Sequence, residues 1–109
     1  MVKEFILCSA VHYDNGTNYN KTNVIGNESG VIICGKRHND CNDTLRGILG
    51  DSFVVPEREF QGFLTSHNRF VSRAIAFQIA KANNQIIHRM FDNDTHGILT
   101  SEDLYGVDE

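Results

Sequence analysis

Apolar residues recur every three or four positions between Ser72 and Met90, which is the spacing of side chains along one side of an α-helix. Ser72 is a suitable N-cap for that helix. The sequence therefore predicts a helix from about Ser72 to Met90 with one buried stripe, formed by Ile75, Ile79, Ala82, Ile86 and Met90. Such a helix must pack its stripe against another element, so the rest of the chain has to supply a partner surface.

Three β-favouring runs can supply that surface. Lys3 to Tyr13 is mostly apolar and ends at a turn signal, Asp14-Asn15-Gly16. Gly30 to Gly35 (GVIICG) is typical of a buried strand, and Phe60 to Thr65 (FQGFLT) predicts a third. The expected fold class is α+β, with a small antiparallel sheet packed against one long helix and a short helix.

The short helix is predicted to begin at an N-cap, Asn39 or Asp40, and to end at Gly50. Its expected apolar contacts are Leu45, Ile48 and Leu49. The polar segment Asn15 to Gly30 predicts a long loop, and Ser52 to Glu59, which holds the only proline, predicts a loop with an uncertain strand fragment.

Length and charge limit the classes of function. The 109 residues indicate a single domain, 1–109, and small domains often recover burial by forming homo-oligomers. The net charge of −4 argues against DNA or RNA as a partner. No run approaches the roughly 18 apolar residues of a membrane span. The odd number of cysteines, Cys8, Cys34 and Cys41, favours a reducing compartment, and we expect a cytosolic protein.

Thr65 to Arg73 (TSHNRFVSR) is expected to connect the third strand directly to the start of the long helix. Backbone N–H groups at a helix N-terminus favour anions, and Arg69 and Arg73 add fork-shaped donors suited to phosphate. Asn68 is a candidate for reading a base edge or a ribose hydroxyl, and Phe70 or Phe63 for stacking on a purine. The alternative is structural: Arg69 pairs with a neighbouring carboxylate, and Phe70 packs under the helix.

Lys36-Arg37-His38 follows the predicted strand GVIICG and is the densest positive cluster in this acidic chain. It is a natural partner for a ligand phosphate, although a solvated turn also explains two adjacent charges. Together with Arg69 and Arg73 it would bring up to four cationic groups together from two strand ends.

Two arrangements resemble metal sites. Cys34, His38 and Cys41 lack the fourth ligand and the paired cysteines of structural zinc, so core thiols are the better interpretation. Five residues of segment 92–103 fall at calcium-loop positions: Asp92, Asp94, Gly97, Leu99 and Asp103. His96 at the fifth position and Asp at the twelfth weaken that match, and a turn before a short terminal element is the other interpretation.

Motifs for catalysis and for cofactors are missing from the sequence. It contains no G-x-S-x-G elbow, no phosphate-binding P-loop and no His-x-Glu metal motif. We therefore expect a binding protein that uses no cofactor and is not an enzyme. A calcium-binding module and a nucleotide hydrolase remain the alternative functions.

Four segments resemble the Thoeris anti-defence proteins of the first described type. They are FILCSAVHYDNG (5–16), GVIICGKRHNDC (30–41), QGFLTSHNRFVSRAIAFQIAKANNQ (61–85) and LTSEDLY (99–105). They occur in the same order and cover most of the chain, and QGFLTSHNRFV is the most specific of them. This chain departs from the family in having Ser72 after the Phe-Val pair and His12-Tyr13 after Ala10.

The resemblance implies a phage-encoded sponge in the cytoplasm of the infected bacterial host. Such proteins sequester cyclic ADP-ribose isomers made by TIR-domain enzymes without cleaving them, and some form hexamers that also hold cyclic oligonucleotides at separate sites. A homo-oligomer, either a dimer or a hexamer, is therefore expected. The residues that the resemblance places at or near the ligand are Arg37, His38, Thr65, Ser66, Asn68, Arg69 and Phe70.

Overall fold

A computed structural model describes residues 3–14, 16, 29–87 and 98–105. The strands and helices are β1 (Ile6–Tyr13), β2 (Val31–Gly35), α1 (His38–Leu49), β3 (Gln61–Thr65), β4 (Phe70–Val71), α2 (Arg73–Ala82) and α3 (Ser101–Tyr105). Short 3₁₀ turns cover Gly50–Ser52 and Arg58–Phe60. The fold class is α+β, as predicted, and the three predicted strands are present.

The four strands form one antiparallel sheet in the order β2-β1-β3-β4. Opposite residues share a face, so Ser9 and Val11 lie on the same side as Phe63 and Val71. A register shift between Ile6 and Cys8 turns Ile6 to that side too. In the described ranges the helices cover only this face, which we call the helix face, and we call the other the open face.

Two clusters of buried side chains fill the space between the sheet and the helices. One lies under α2 and α3 and consists of Ile6, Phe63, Val71, Ala76, Phe77, Ala80 and Leu99. The other lies under α1 and consists of Val11, Cys41 and Leu45. The side chain of His38, at the start of α1, lies against Phe63. The N-terminus of α1 therefore approaches the cluster beneath α2.

The predicted long helix is shorter than expected, because α2 ends at Ala82. Asn84 has a left-handed backbone (φ 55°), and the Gln85 side chain then pairs with the backbone of β1. Its Nε2 donates to the Ile6 carbonyl and its Oε1 accepts from the Ile6 N–H, both at 2.8 Å. These bonds need an extended chain beside Ile6. The predicted continuation to Met90 is wrong up to Ile87, and residues 88–90 lie outside the described ranges.

The predicted buried stripe is wrong at Ile75 and Ala82 and is confirmed only in part, at Ile79 and Ile86. Ile75 is 50% exposed and Ala82 is exposed, whereas Ala76, Phe77 and Ala80 are buried. Ile79 and Ile86 are half-buried beside the cluster. Small alanines let α2 lie close to the sheet, and Phe77 fills the remaining space. The spacing indicated a helix correctly, but the fully buried side of α2 consists of Ala76, Phe77 and Ala80, and the isoleucines lie at its edge or in solvent.

Further local predictions need correction. The N-cap of α1 is Arg37, and Asp40 accepts a hydrogen bond from its N–H at 3.0 Å. Ile48 is 65% exposed, while Leu45 is buried. The described backbone of 52–59 contains no strand. Most of the predicted 15–30 loop lies outside the described residues.

Strand β4 was not predicted. It makes Thr65 to Phe70 a hairpin connection rather than a direct approach to the helix. Gly62 permits this pairing, because a Cβ there would overlap the Val71 carbonyl oxygen.

None of the helices in the described part of the chain is long and apolar enough to span a bilayer.

Candidate functional site

A cavity of about 680 Å³ lies beside the N-termini of α1 and α2. Its described lining residues are Lys36, Arg37, His38, Asn39, Asp40, Asn42, Gln61, Arg73, Thr100 and Ser101. We call it the basic cavity. Its volume lies within the roughly 300–1,000 Å³ typical of small-molecule sites.

The connection from β2 to α1 forms one wall. Lys36 is exposed, whereas Arg37 and His38 are each 9% exposed. His38 Nε2 lies 2.8 Å from the Gly62 carbonyl oxygen, and its ring meets Phe63 edge-on at 5.1 Å. Since a carbonyl oxygen only accepts hydrogen bonds, Nε2 carries the proton. The imidazole is therefore held in one orientation at the cavity wall.

Arg73, the first residue of α2, forms the facing wall. Its Nη1 donates to the Leu99 carbonyl at 3.2 Å, and its Nη2 lies 3.5 Å from Gln61 Oε1. Gln61 in turn donates from Nε2 to the Pro56 carbonyl at 2.8 Å. This network joins β3 and the segment before α3, and it brings Thr100 and Ser101 to the cavity.

The electrostatics of the basic cavity favour an anion. Three cationic side chains, Lys36, Arg37 and Arg73, line it with one carboxylate, Asp40, among the described residues. That carboxylate already accepts from the Arg37 backbone at 3.0 Å. The first turns of α1 and α2 also border the cavity, and the N-terminal ends of helix dipoles attract negative charge.

Arg69 lies elsewhere, in a cluster that we call the Glu4 clamp, formed by Glu4, Thr65 and Arg69. Arg69 Nε and Nη2 donate to the two Glu4 carboxylate oxygens at 2.8 and 2.9 Å, and Thr65 Oγ1 donates to Oε2 at 2.6 Å. The hydrogen bonds from Arg69 and Thr65 lower the Glu4 pKa to about 2. The clamp holds the segment before β1 against the β3–β4 hairpin.

Other residues predicted from the 63–70 region also lie away from the basic cavity. Ser66 exchanges hydrogen bonds with the Phe5 backbone, at 2.8 and 2.9 Å. Asn68 is exposed at the hairpin turn with φ 60°. Phe70 lies on the open face, 5.9 Å from the His12 ring, and does not pack under the helix. Phe63 is fully buried beneath His38.

The structure thus divides the predicted site residues into two groups. Arg37, His38 and Arg73 come together with Lys36, whereas Thr65, Ser66, Asn68 and Arg69 belong to the hairpin. Sequence reasoning missed several polar lining residues, namely Asn39, Asn42, Gln61, Thr100 and Ser101. Asn39 and Asn42 could have been found, since a helix that starts beside Lys36-Arg37 presents its first turn to the same space.

The candidate metal ligands are separated or only partly described. Cys34 is exposed on the open face, whereas Cys41 is buried on the helix face, with its Sγ 3.7 Å from the Ser9 carbonyl. No group of three metal-binding side chains occurs within the described ranges. Most of the calcium-loop segment lies outside them. Its last residue, Asp103, is fully buried and accepts from the Thr100 N–H at 2.9 Å.

The fold and the basic cavity define a small α+β protein with a cavity of ligand size, whose described lining contains three cationic side chains and one carboxylate. The chain belongs to the family of the phage T4 y16D protein, whose family model matches residues 5–105. That match begins at the residue before β1 and ends at the last residue of α3. The protein is therefore a phage protein. No curated protein and no solved structure gives a match.

Proposed function

We propose that this phage protein binds a cyclic ADP-ribose isomer in the basic cavity and sequesters it without cleaving it. The observation that carries the proposal is the convergence of Lys36, Arg37 and Arg73 on one cavity beside two helix N-termini. Guanidinium forks bind phosphate oxygens in pairs, and the two phosphates of an ADP-ribose match donors on facing walls.

The uncharged wall residues suit the remainder of such a ligand. Asn42 Oδ1 is buried and has no hydrogen-bond partner in the described part of the chain. A ribose hydroxyl would satisfy it and remove the cost of a buried unsatisfied acceptor, about 1–3 kcal/mol. The fixed His38 ring is the aromatic surface in the described wall, and it is the candidate for contact with the base.

The resemblance to Thoeris anti-defence proteins supports the choice of ligand. A sponge for a TIR-derived signal needs several donors around two phosphates and must return the molecule unchanged. Cyclic oligonucleotides, which some of those proteins also hold, share the phosphate chemistry and are the second ligand class to test.

Release of the ligand after binding tests the proposal. The purified protein is saturated with cyclic ADP-ribose, freed of excess, heated and centrifuged, and the supernatant is separated by chromatography. Intact cyclic ADP-ribose is expected at every incubation time. Linear ADP-ribose that accumulates with time would instead establish the hydrolase alternative, and no retained ligand would refute binding.

Addition of calcium or a chelator should leave the melting temperature unchanged, because a calcium-binding module would be stabilised by its ion.

We also infer a homo-oligomer, a dimer or a hexamer. Phe5 and Leu7, next to and within β1, are 41% and 46% exposed, and Ile75 on α2 is 50% exposed. A second copy would remove these apolar side chains from water. Light scattering at micromolar concentration should give a multiple of the 12.3 kDa chain mass. A monomer with full ligand affinity would refute the inference.

A further inference from the structure

Two cysteines lie close together on the open face of the sheet. Cys34 in β2 pairs with Ala10 in β1, so Cys8 is its diagonal neighbour on the same face. Diagonal neighbours on one face of a sheet are within reach of each other's side chains, so the Cys8 S–H can be donated to the Cys34 sulfur. Cys34 is exposed and Cys8 is half-buried. The pair therefore combines an accessible sulfur with a second thiol that is partly shielded.

The hydrogen bond makes the two sulfurs chemically different. Donation from Cys8 lowers the pKa of Cys34 to about 7, against the opposing effect of partial burial. The same bond and burial raise the pKa of Cys8 well above its usual range. Cys34 is thus substantially thiolate near neutral pH, and the thiolate is the form that attacks disulfides.

We propose that Cys34 is a modification site for low-molecular-weight disulfides, with Cys8 as the positioning residue whose S–H stabilises the attacking thiolate. The Cys34 sulfur forms a bond to one sulfur of the disulfide, and the disulfide's own S–S bond breaks. The leaving thiolate takes a proton from water. One thiol of the protein is thereby exchanged for one free small thiol, and the product is a mixed disulfide on Cys34.

The register explains why the reaction stops at the mixed disulfide. Diagonal neighbours in an antiparallel sheet have Cα atoms roughly 7–8 Å apart. A disulfide needs a Cα separation of about 4.4–6.8 Å, so a bond between Cys8 and Cys34 requires the strands to move. Cys8 consequently remains a hydrogen-bond donor and does not displace the bound thiol.

This site is independent of ligand binding. Cys34 lies on the open face, whereas the basic cavity lies on the helix face beside α1 and α2. Loss of thiol reactivity would leave the proposed sequestration untouched, and failure of ligand binding would leave the cysteine chemistry in place.

Alkylation rates test the role of Cys8. The folded protein is treated with iodoacetamide across the pH range, and the labelling of each cysteine is followed by peptide mass spectrometry. The rate at Cys34 should rise with a midpoint near 7. In Cys8→Ala the midpoint should move toward about 8.5, that of an unperturbed thiol. Near neutral pH the variant should react about threefold more slowly, because a roughly fifteenfold loss of thiolate is partly offset by greater nucleophilicity.

Matched controls make the result decisive. Cys8→Ser keeps a donor and should keep the low midpoint, and buried Cys41, whose pKa is raised to about 11, should stay unlabelled. Incubation with oxidised glutathione should then add one glutathione to Cys34. An unchanged midpoint in Cys8→Ala would overturn the role of Cys8. An internal disulfide, or labelling of Cys34 no faster than of Cys41, would overturn the modification site.

Discussion

The basic cavity and the Glu4 clamp both contain arginines that the sequence predicts as phosphate ligands. The two regions differ in the charged groups that surround those arginines. In the clamp one carboxylate engages Arg69 through two hydrogen bonds of 2.8 and 2.9 Å. In the described wall of the cavity three cationic side chains occur with a single carboxylate, Asp40. An ion pair inside the fold satisfies the charge of Arg69, whereas the described lining of the cavity carries more cationic than anionic side chains, an arrangement that favours an anionic ligand.

A basic motif in the sequence therefore does not by itself identify a ligand site. Glu4 is 65 positions from Arg69 and is brought to it only by the hairpin. Arg73, four residues further on, lies on α2 and points to another region of the molecule. Substitutions in the two regions should therefore separate binding from folding.

The largest expected effect is on ligand affinity in the basic cavity. Arg37→Gln should weaken binding of cyclic ADP-ribose by roughly 10- to 150-fold, because a charge-assisted hydrogen bond contributes about 1.5–3 kcal/mol. Lys36→Ala, at an exposed position, should weaken it less and leave folding intact. Isothermal titration measures both.

Arg46→Ala is the matched control, since Arg46 lies on the exposed side of α1 and pairs with Asp43 at 3.2 Å. It should bind like the unaltered protein. Wild-type affinity in both cavity variants would remove the assigned site.

A substitution in the Glu4 clamp should lower the stability of the fold and leave ligand affinity unchanged. Arg69→Ala should cost about 1 kcal/mol of folding free energy, a modest value because the Arg69 side chain is 40% exposed and solvent screens the pair. For a domain of this size the melting temperature should fall by about 4–8 °C. Ligand affinity of the folded protein should not change. Weakened binding with an unchanged melting temperature would instead make Arg69 a ligand contact, as the resemblance implies.

Much of the fold could be predicted from local sequence, because strands and helices reflect short-range patterns. The runs around Ile6–Tyr13 and Val31–Gly35 carried their own β signals. The end of α2 could not be predicted, since it depends on Gln85 pairing with Ile6, 79 positions away. Dependence on contacts between distant parts of the sequence also prevented a full prediction of the site. Lys36 to His38 stood out as a charge cluster, but Gln61 and Thr100 acquire a role only when the strands and helices assemble.

The acid dependence of stability should include a contribution from the clamp that Glu4→Gln removes. The hydrogen bonds from Arg69 and Thr65 lower the Glu4 pKa from 4.5 to about 2, so the folded state favours the ionised carboxylate. The clamp's contribution is then complete above about pH 4.5 and is lost as the pH falls toward 2. We expect a loss of no more than about 1 kcal/mol after allowing for screening. Chemical denaturation at several pH values should show this decline in the unaltered protein and a flatter profile in Glu4→Gln. Equal slopes in the two proteins would contradict the assignment.

The smallest expected effect concerns Asn68, at the turn between β3 and β4. Its φ of 60° lies in the left-handed region, where glycine fits without strain and alanine does not. Asn68→Gly should therefore change stability by only a few tenths of a kcal/mol, while Asn68→Ala should cost about 1 kcal/mol. Because Asn68 lies on the hairpin and not among the described lining residues of the basic cavity, both variants should bind cyclic ADP-ribose with unchanged affinity. If the Asn68 amide reads a base or a ribose hydroxyl instead, Asn68→Gly should weaken binding while the protein melts normally. That outcome would move the ligand from the basic cavity to the hairpin. Because glycine removes the amide without straining the turn, titration and melting of this one variant decide between the two regions.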